Sequence, residues 1–71
     1  MTNREQAIYN FLKKSRFLIA KDNTKQQHYS AKQINMFSTL NVTENELRSM
    51  EQKGYLTHIH FRSHGNCYYA I

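Results

Sequence analysis

"TENELRSMEQKGYLTHIHFRSHGNCYYAI", Thr43 to Ile71, is the stretch on which the architecture of this chain turns. Thr43 followed by Glu46 is a T-x-x-E capping box, which opens a helix. Leu47 and Met50 repeat at helical spacing, and Gly54 stops the helix, as glycine at the position after a helix commonly does. The residues that follow alternate around the turn formers His64, Gly65 and Asn66, so the stretch ends as a β-hairpin.

Two registers are open for that hairpin. A three-residue turn, His64-Gly65-Asn66, pairs Phe61 near Tyr69 and puts Ile59, Phe61, Tyr69 and Ile71 inward. A two-residue turn puts Tyr68 and Ala70 inward instead. The first is preferred because it hides Ile71. It leaves His58, His60 and Arg62 on a polar, basic outer face.

Upstream, Ser30 caps a helix over about 31–40, "AKQINMFSTL", with Ala31, Ile34, Phe37 and Leu40 on its inner face. Lys32, Asn35 and Thr39 form its outward stripe. "NV" makes a tight connection into the next helix. Tyr29 begins a very short strand, and the polar "KDNTKQQH" before it reads as a loop. Thr2 and Glu5 form a possible capping box for a first helix over about 3–20. Ile8, Phe11, Leu12, Ser15, Leu18 and Ile19 share one face of that helix. Their periodicity runs to about Lys21 without a breaker, which favours a helix over the competing reading of "RFLIA" as a strand. Tyr9 and Phe17 fall off that stripe.

Seventy-one residues make at most one domain, 1–71, with one modest core. The formal net charge is +5, and the pI is near 9.6. A basic domain of this size suits a polyanionic partner. Cys67 is the single cysteine, so no intrachain disulfide forms, consistent with a cytoplasmic location. No apolar run approaches the roughly 18 residues of a membrane span, and the first ten residues lack the apolar region of a signal peptide.

Taken together, "YSAKQINMFSTLNVTENELRSMEQKGYLTHIHFRSHGNCYYAI" resembles a winged helix-turn-helix domain. Ser30 opens the first helix of the motif, and Ile34 packs inside it. Val42 is the buried aliphatic of the turn, and Thr43 caps the recognition helix, about 44–53. "EQKGYL" is close to a frequent ending of that helix in the family. A wing, about 56–71, follows with Gly65 at its tip. The resemblance covers Tyr29 to Ile71 and implies an α+β fold of three helices followed by a C-terminal two-stranded wing. It also implies a duplex-DNA-binding function, most simply that of a small transcriptional regulator.

On the third helix, Asn45, Arg48, Ser49 and Gln52 fall on one stripe opposite Leu47 and Met50, since each residue turns about 100°. These are residue types that read base edges: Arg with guanine, Asn and Gln with adenine, Ser with either. The same helix carries Glu44, Glu46 and Glu51, which is unusual for a helix that meets DNA. The helical wheel puts all three on its flanks, and Glu44 in the first turn suits the helix dipole. Ser30, Lys32 and Thr43 are expected beside the phosphate backbone, and His60, Arg62 and His64 on the wing. A homodimer on a pseudo-palindrome is expected, with Tyr9 and Phe17 as its surface.

Catalysis is not expected. The sequence has no nucleophile with its base and orienting group, and no phosphate-cradling glycine loop. Neither a cofactor nor a small-molecule ligand is implied. His58, His60, His64 and Cys67 lack a common zinc spacing. Two other functions remain open: a protein–protein interaction module, and an architectural factor for DNA excision or replication.

Overall fold

The computed structural model describes the backbone of residues 1–20 and 28–71 and the side chains of residues 1–14 and 28–71. Three helices precede a two-stranded antiparallel sheet, an α+β architecture. Helix α1 is Asn3–Ala20, α2 is Ala31–Phe37 and α3 is Glu44–Gln52. Strands β1 (Leu56–Phe61) and β2 (Gly65–Ala70) form the hairpin.

Each helix starts where its side chains satisfy the free backbone N–H groups. The Glu5 N–H donates to Thr2 Oγ1 at 3.1 Å, and the Thr2 N–H donates to the Glu5 carboxylate at 2.8 Å. Reciprocal boxes of the same kind open α2 (Ser30 with Gln33) and α3 (Thr43 with Glu46). The backbone of residues 17–20 is helical, so α1 absorbs "RFLIA". The "KDNTKQQ" part of the expected loop, and the side chains of Ser15, Phe17, Leu18 and Ile19, lie outside the described residues.

Helix α2 is shorter than expected. It ends at Phe37, because the Ser38 hydroxyl turns back and donates to the Ile34 carbonyl at 2.6 Å. That side-chain bond satisfies a carbonyl that another helical turn would have used. Two side chains of α2 also depart from expectation. Phe37 is 64% exposed rather than inward, while Ile34 is fully buried as its spacing predicts. Asn35 is not on an outward stripe. Its amide donates to the Val42 carbonyl at 2.9 Å and accepts the Val42 N–H at 2.7 Å, pinning the link to α3. In that link Asn41 takes a φ of 57°, a left-handed conformation that asparagine tolerates.

Helix α3 ends in a Schellman pattern. The Gly54 N–H bonds to the Glu51 carbonyl and the Tyr55 N–H to the Met50 carbonyl. Gly54 has a φ of 85°, where a side chain would be strained.

The hairpin register corrects the expectation. Leu56 pairs with Ala70, His58 with Tyr68, His60 with Asn66 and Phe61 with Gly65. The turn is therefore Arg62-Ser63-His64, two residues earlier than expected, with Gly65 at a φ of 71° just after it. Tyr68 and Ala70 point inward and are fully buried, and Ile71 is 57% exposed. Ile59 and Phe61 lie on the opposite, outer face with Cys67 and Tyr69.

Tyr29 forms an isolated bridge to Tyr68 on the edge of β2 away from β1, with N–H to carbonyl distances of 3.0 and 2.7 Å. The core gathers Ile8 and Leu12 of α1, Ile34 of α2, Val42 of the turn, Leu47 and Met50 of α3, and Leu56, Tyr68 and Ala70 of the hairpin. Burial of these apolar groups is the main stabilising term. Two ion pairs fasten α1 to α3. Lys53 donates to Glu5 at 2.7 Å, and Arg4 meets Glu46 at 2.7 Å while also donating to the Asn41 carbonyl at 3.0 Å. The hydrogen bond from Lys53 holds the Glu5 carboxyl down at about 2.

Candidate nucleic-acid interface

The third helix presents its outward stripe as its spacing predicts. Asn45, Arg48, Ser49 and Gln52 are all exposed, and Leu47 and Met50 are buried behind them. The helix is rigidly seated by its capping box and by its two core residues. Four side chains capable of donating or accepting at base edges therefore share one solvent-facing surface.

The three glutamates of α3 are engaged within the chain. Glu46 accepts from Arg4, and that bond is the main cause of its lowered pKa. Glu51 meets Nδ1 of His58. Glu44 Oε1 accepts from the Tyr68 hydroxyl at 3.0 Å and from Asn66 Nδ2 at 3.2 Å. It also lies 3.9 Å from Arg48 Nε, one helical turn on. An exposed pair of that kind is worth only about 0.3–0.5 kcal/mol, so its effect is on orientation rather than stability. The Tyr68 phenol is pushed up to about 12, first by burial and then by its bond to Glu44.

The two histidines of β1 face α3 and not the outer surface of the hairpin. His58 reaches Glu51, and His60 Nδ1 bonds Asn66 Oδ1 at 2.9 Å. Asn66 thus accepts from His60 and donates to Glu44. The expected outer position of His58 and His60 is overturned because the core covers the face of the sheet opposite to the one expected: the turn shifts by two residues, an even step that keeps His58, His60, Tyr68 and Ala70 on one face. Cys67 lies on the outer face, across the sheet from these histidines. Burial raises its thiol pKa. Among the described residues, no cluster of three or more His, Cys, Asp or Glu side chains is placed to hold a metal.

Ser30, Lys32, Glu44, His64 and Asn66 line one cleft of about 590 Å³ between the start of α2 and the hairpin turn. The tertiary structure therefore brings together three of the expected phosphate contacts, Ser30, Lys32 and His64. Lys32, Arg62 and His64 are exposed, and Lys32 and Arg62 form no ion pair with a described residue. Ser30 is half-buried, its Oγ accepting the Gln33 N–H, and Thr43 is exposed while its Oγ1 accepts the Glu46 N–H. Arg62 sits in the turn, not on a strand face.

Tyr9 is not a free aromatic. It is half-buried against the core, and its hydroxyl donates to the Ile71 carbonyl at 2.9 Å. That contact ties its hydroxyl to the end of the hairpin. The side chain of Phe17 is outside the described residues.

The residues that sequence reasoning missed are the partners: Arg4 for Glu46, Tyr68 and Asn66 for Glu44. They lie 42, 24 and 22 positions away along the chain. No local pattern carries such pairings. No helix among the described residues is long and apolar enough to cross a membrane. Comparison with protein-family models, with curated proteins and with solved structures gives no match for this chain.

Proposed function

We propose that this chain is a winged helix-turn-helix protein that binds duplex DNA, with α3 in the major groove and the hairpin as its wing. The observation that carries the reading is the division of polar groups on α3. Its outward stripe holds Asn45, Arg48, Ser49 and Gln52, while Glu44, Glu46 and Glu51 are held by partners inside the chain. Partners within the chain thus answer the acidity that argues against DNA contact, including that of Glu44, which lines the same cleft as Lys32 and His64. The order of elements supports the same reading: helix, lone bridge at Tyr29, two capped helices, then a hairpin whose second strand lies between Tyr29 and β1. The charge of +5 and the cleft that joins Ser30, Lys32 and His64 suit a phosphate backbone beside α3.

In this reading the protein is a small transcriptional regulator, or an architectural factor using the same surface, and no step of catalysis is involved. A homodimer would double the modest footprint of a single module, roughly 600–1,000 Å². Sedimentation of the free chain and of its complex tests that state.

The function is tested by titrating the full chain with random duplex DNA across a salt series, followed by selection of bound sites from random duplexes. A steep linear loss of log affinity with log salt and recovery of one enriched site are expected. Salt-insensitive, negligible binding would sink the reading. A second reading, a protein-interaction module, draws on Met36 and Phe37, which are 65% and 64% exposed side by side at the end of α2. It predicts that Met36→Ser with Phe37→Ser abolishes partner capture and leaves duplex binding untouched.

A further inference from the structure

We infer that Glu44 is a positioning residue: it orients Arg48 and locks the hairpin to α3, so that helix and hairpin meet a duplex as one unit. The inference rests on the DNA-binding reading above and deepens it. One oxygen of Glu44 gathers three groups from two elements. The Tyr68 hydroxyl and Asn66 Nδ2 of β2 donate to it at 3.0 and 3.2 Å, and Arg48 Nε of its own helix lies 3.9 Å away. Asn66 carries the connection on to His60 Nδ1 at 2.9 Å. The path therefore runs from the centre of the base-reading stripe, through one carboxylate, to both strands of the hairpin.

The geometry explains a residue that is otherwise out of place. A carboxylate in the first turn of a helix that approaches phosphates should cost binding by repulsion. Here its charge answers the guanidinium of Arg48, and its remaining capacity is spent on a fully buried tyrosine. Tyr68 cannot find water, so its hydroxyl needs this partner. Asn66 is half-buried, and its amide is oriented by bonds at both ends. Glutamate biases the rotamers of an arginine one turn on, and an arginine so biased discriminates between bases better than a free one. Glu51 and His58 make a second, parallel tie from the end of α3 to β1.

The test uses the full chain and the duplex obtained by selection, together with the same duplex altered at single bases. Glu44→Gln keeps an acceptor for Tyr68 and removes the charge that faces Arg48. We expect it to fold as the parent does and to bind random duplex at least as tightly. Discrimination at the one base pair read by Arg48 should fall about twofold. In an Arg48→Ala background the same change should have no further effect, because the two act through one contact. A merely structural role would lower binding to all duplexes alike. Discrimination unchanged in Glu44→Gln, or effects of the two substitutions that simply add, would overturn the proposal.

A DNA-free arm keeps the proposal separate from the reading beneath it. Residual dipolar couplings of the amides in β1, β2 and α3 should fit one alignment tensor in the parent chain. In Tyr68→Phe and Glu44→Ala the hairpin amides should depart from the tensor of α3. A common tensor in both variants removes the lock, even if the parent binds DNA well. Departure of the tensor in a chain that binds no duplex leaves the lock standing and overturns the DNA reading instead.

Discussion

Helix α3 and the hairpin that follows it lie side by side in the chain, yet they present their side chains by different rules. On α3 the exposed and buried positions follow from the chain's own turn. Thr43 opens the helix, Gly54 closes it, and 3.6 residues per turn place Leu47 and Met50 on one side and Arg48 on the other. In the hairpin, side chains alternate with a period of two, which groups Leu56, His58 and His60 with Tyr68 and Ala70 on one face and Ile59, Phe61 and Tyr69 on the other. Both faces mix apolar and polar residues, so packing against the helices decides which one is buried. A helix carries its own register, whereas a strand borrows it from its partner.

The most forceful way to break that comparison is to truncate the two adjacent tyrosines. Tyr68→Ala should destabilise the chain by about 3–5 kcal/mol, because it empties the centre of the core. Tyr69→Ala should cost about 1 kcal/mol, the contribution of its edge contact with His28. Urea unfolding of both variants reads the difference directly, and a loss in Tyr69→Ala as large as that in Tyr68→Ala would mean that the hairpin does not bury the Tyr68 face alone.

Arg48→Ala probes the helix by function. It should weaken binding to the selected duplex by about 1–3 kcal/mol and relax one base position. An equal loss on random duplex would make Arg48 a phosphate contact instead, a distinction that titration against both duplexes makes.

Thr43→Ala tests whether α3 depends on its own cap. Its side chain accepts the Glu46 N–H at 3.2 Å, and its loss should cost about 1 kcal/mol. A thermal shift of zero would show that the core alone sets the start of the helix. The smallest expected effect lies at the hairpin turn. Arg62→Ala should lower the salt slope of duplex binding by roughly one, with little change in sequence preference. An unchanged slope would take the turn out of the interface.

Much of this molecule was legible one residue at a time. The capping boxes of α1 and α3, the Ser30 cap, the inward positions Ile8, Leu12, Ile34, Leu47 and Met50, the glycine stop at Gly54 and the exposed stripe of α3 all show in patterns a few positions long. Periodicity and spacing carry such local signals; the structure adds the Gln33 half of the α2 box. The end of α2 was a closer matter. Ser38 folds back on Ile34 in competition with another helical turn, and Phe37, expected inward, is exposed at the end of α2.

Tertiary structure alone decided the rest, because the deciding partners are distant in sequence. The choice of inward face in the hairpin follows from burying Tyr68 and Ala70 beneath Tyr29 and the helices, a larger apolar gain than hiding Ile71. The roles of Glu44, Glu46 and Glu51 follow from Tyr68, Arg4 and His58 arriving beside them once the core has closed. Local sequence sets where a side chain points on its own element. Only the packing of elements sets what that side chain meets there, since a hydrogen bond between elements exists only after apolar burial has brought them together.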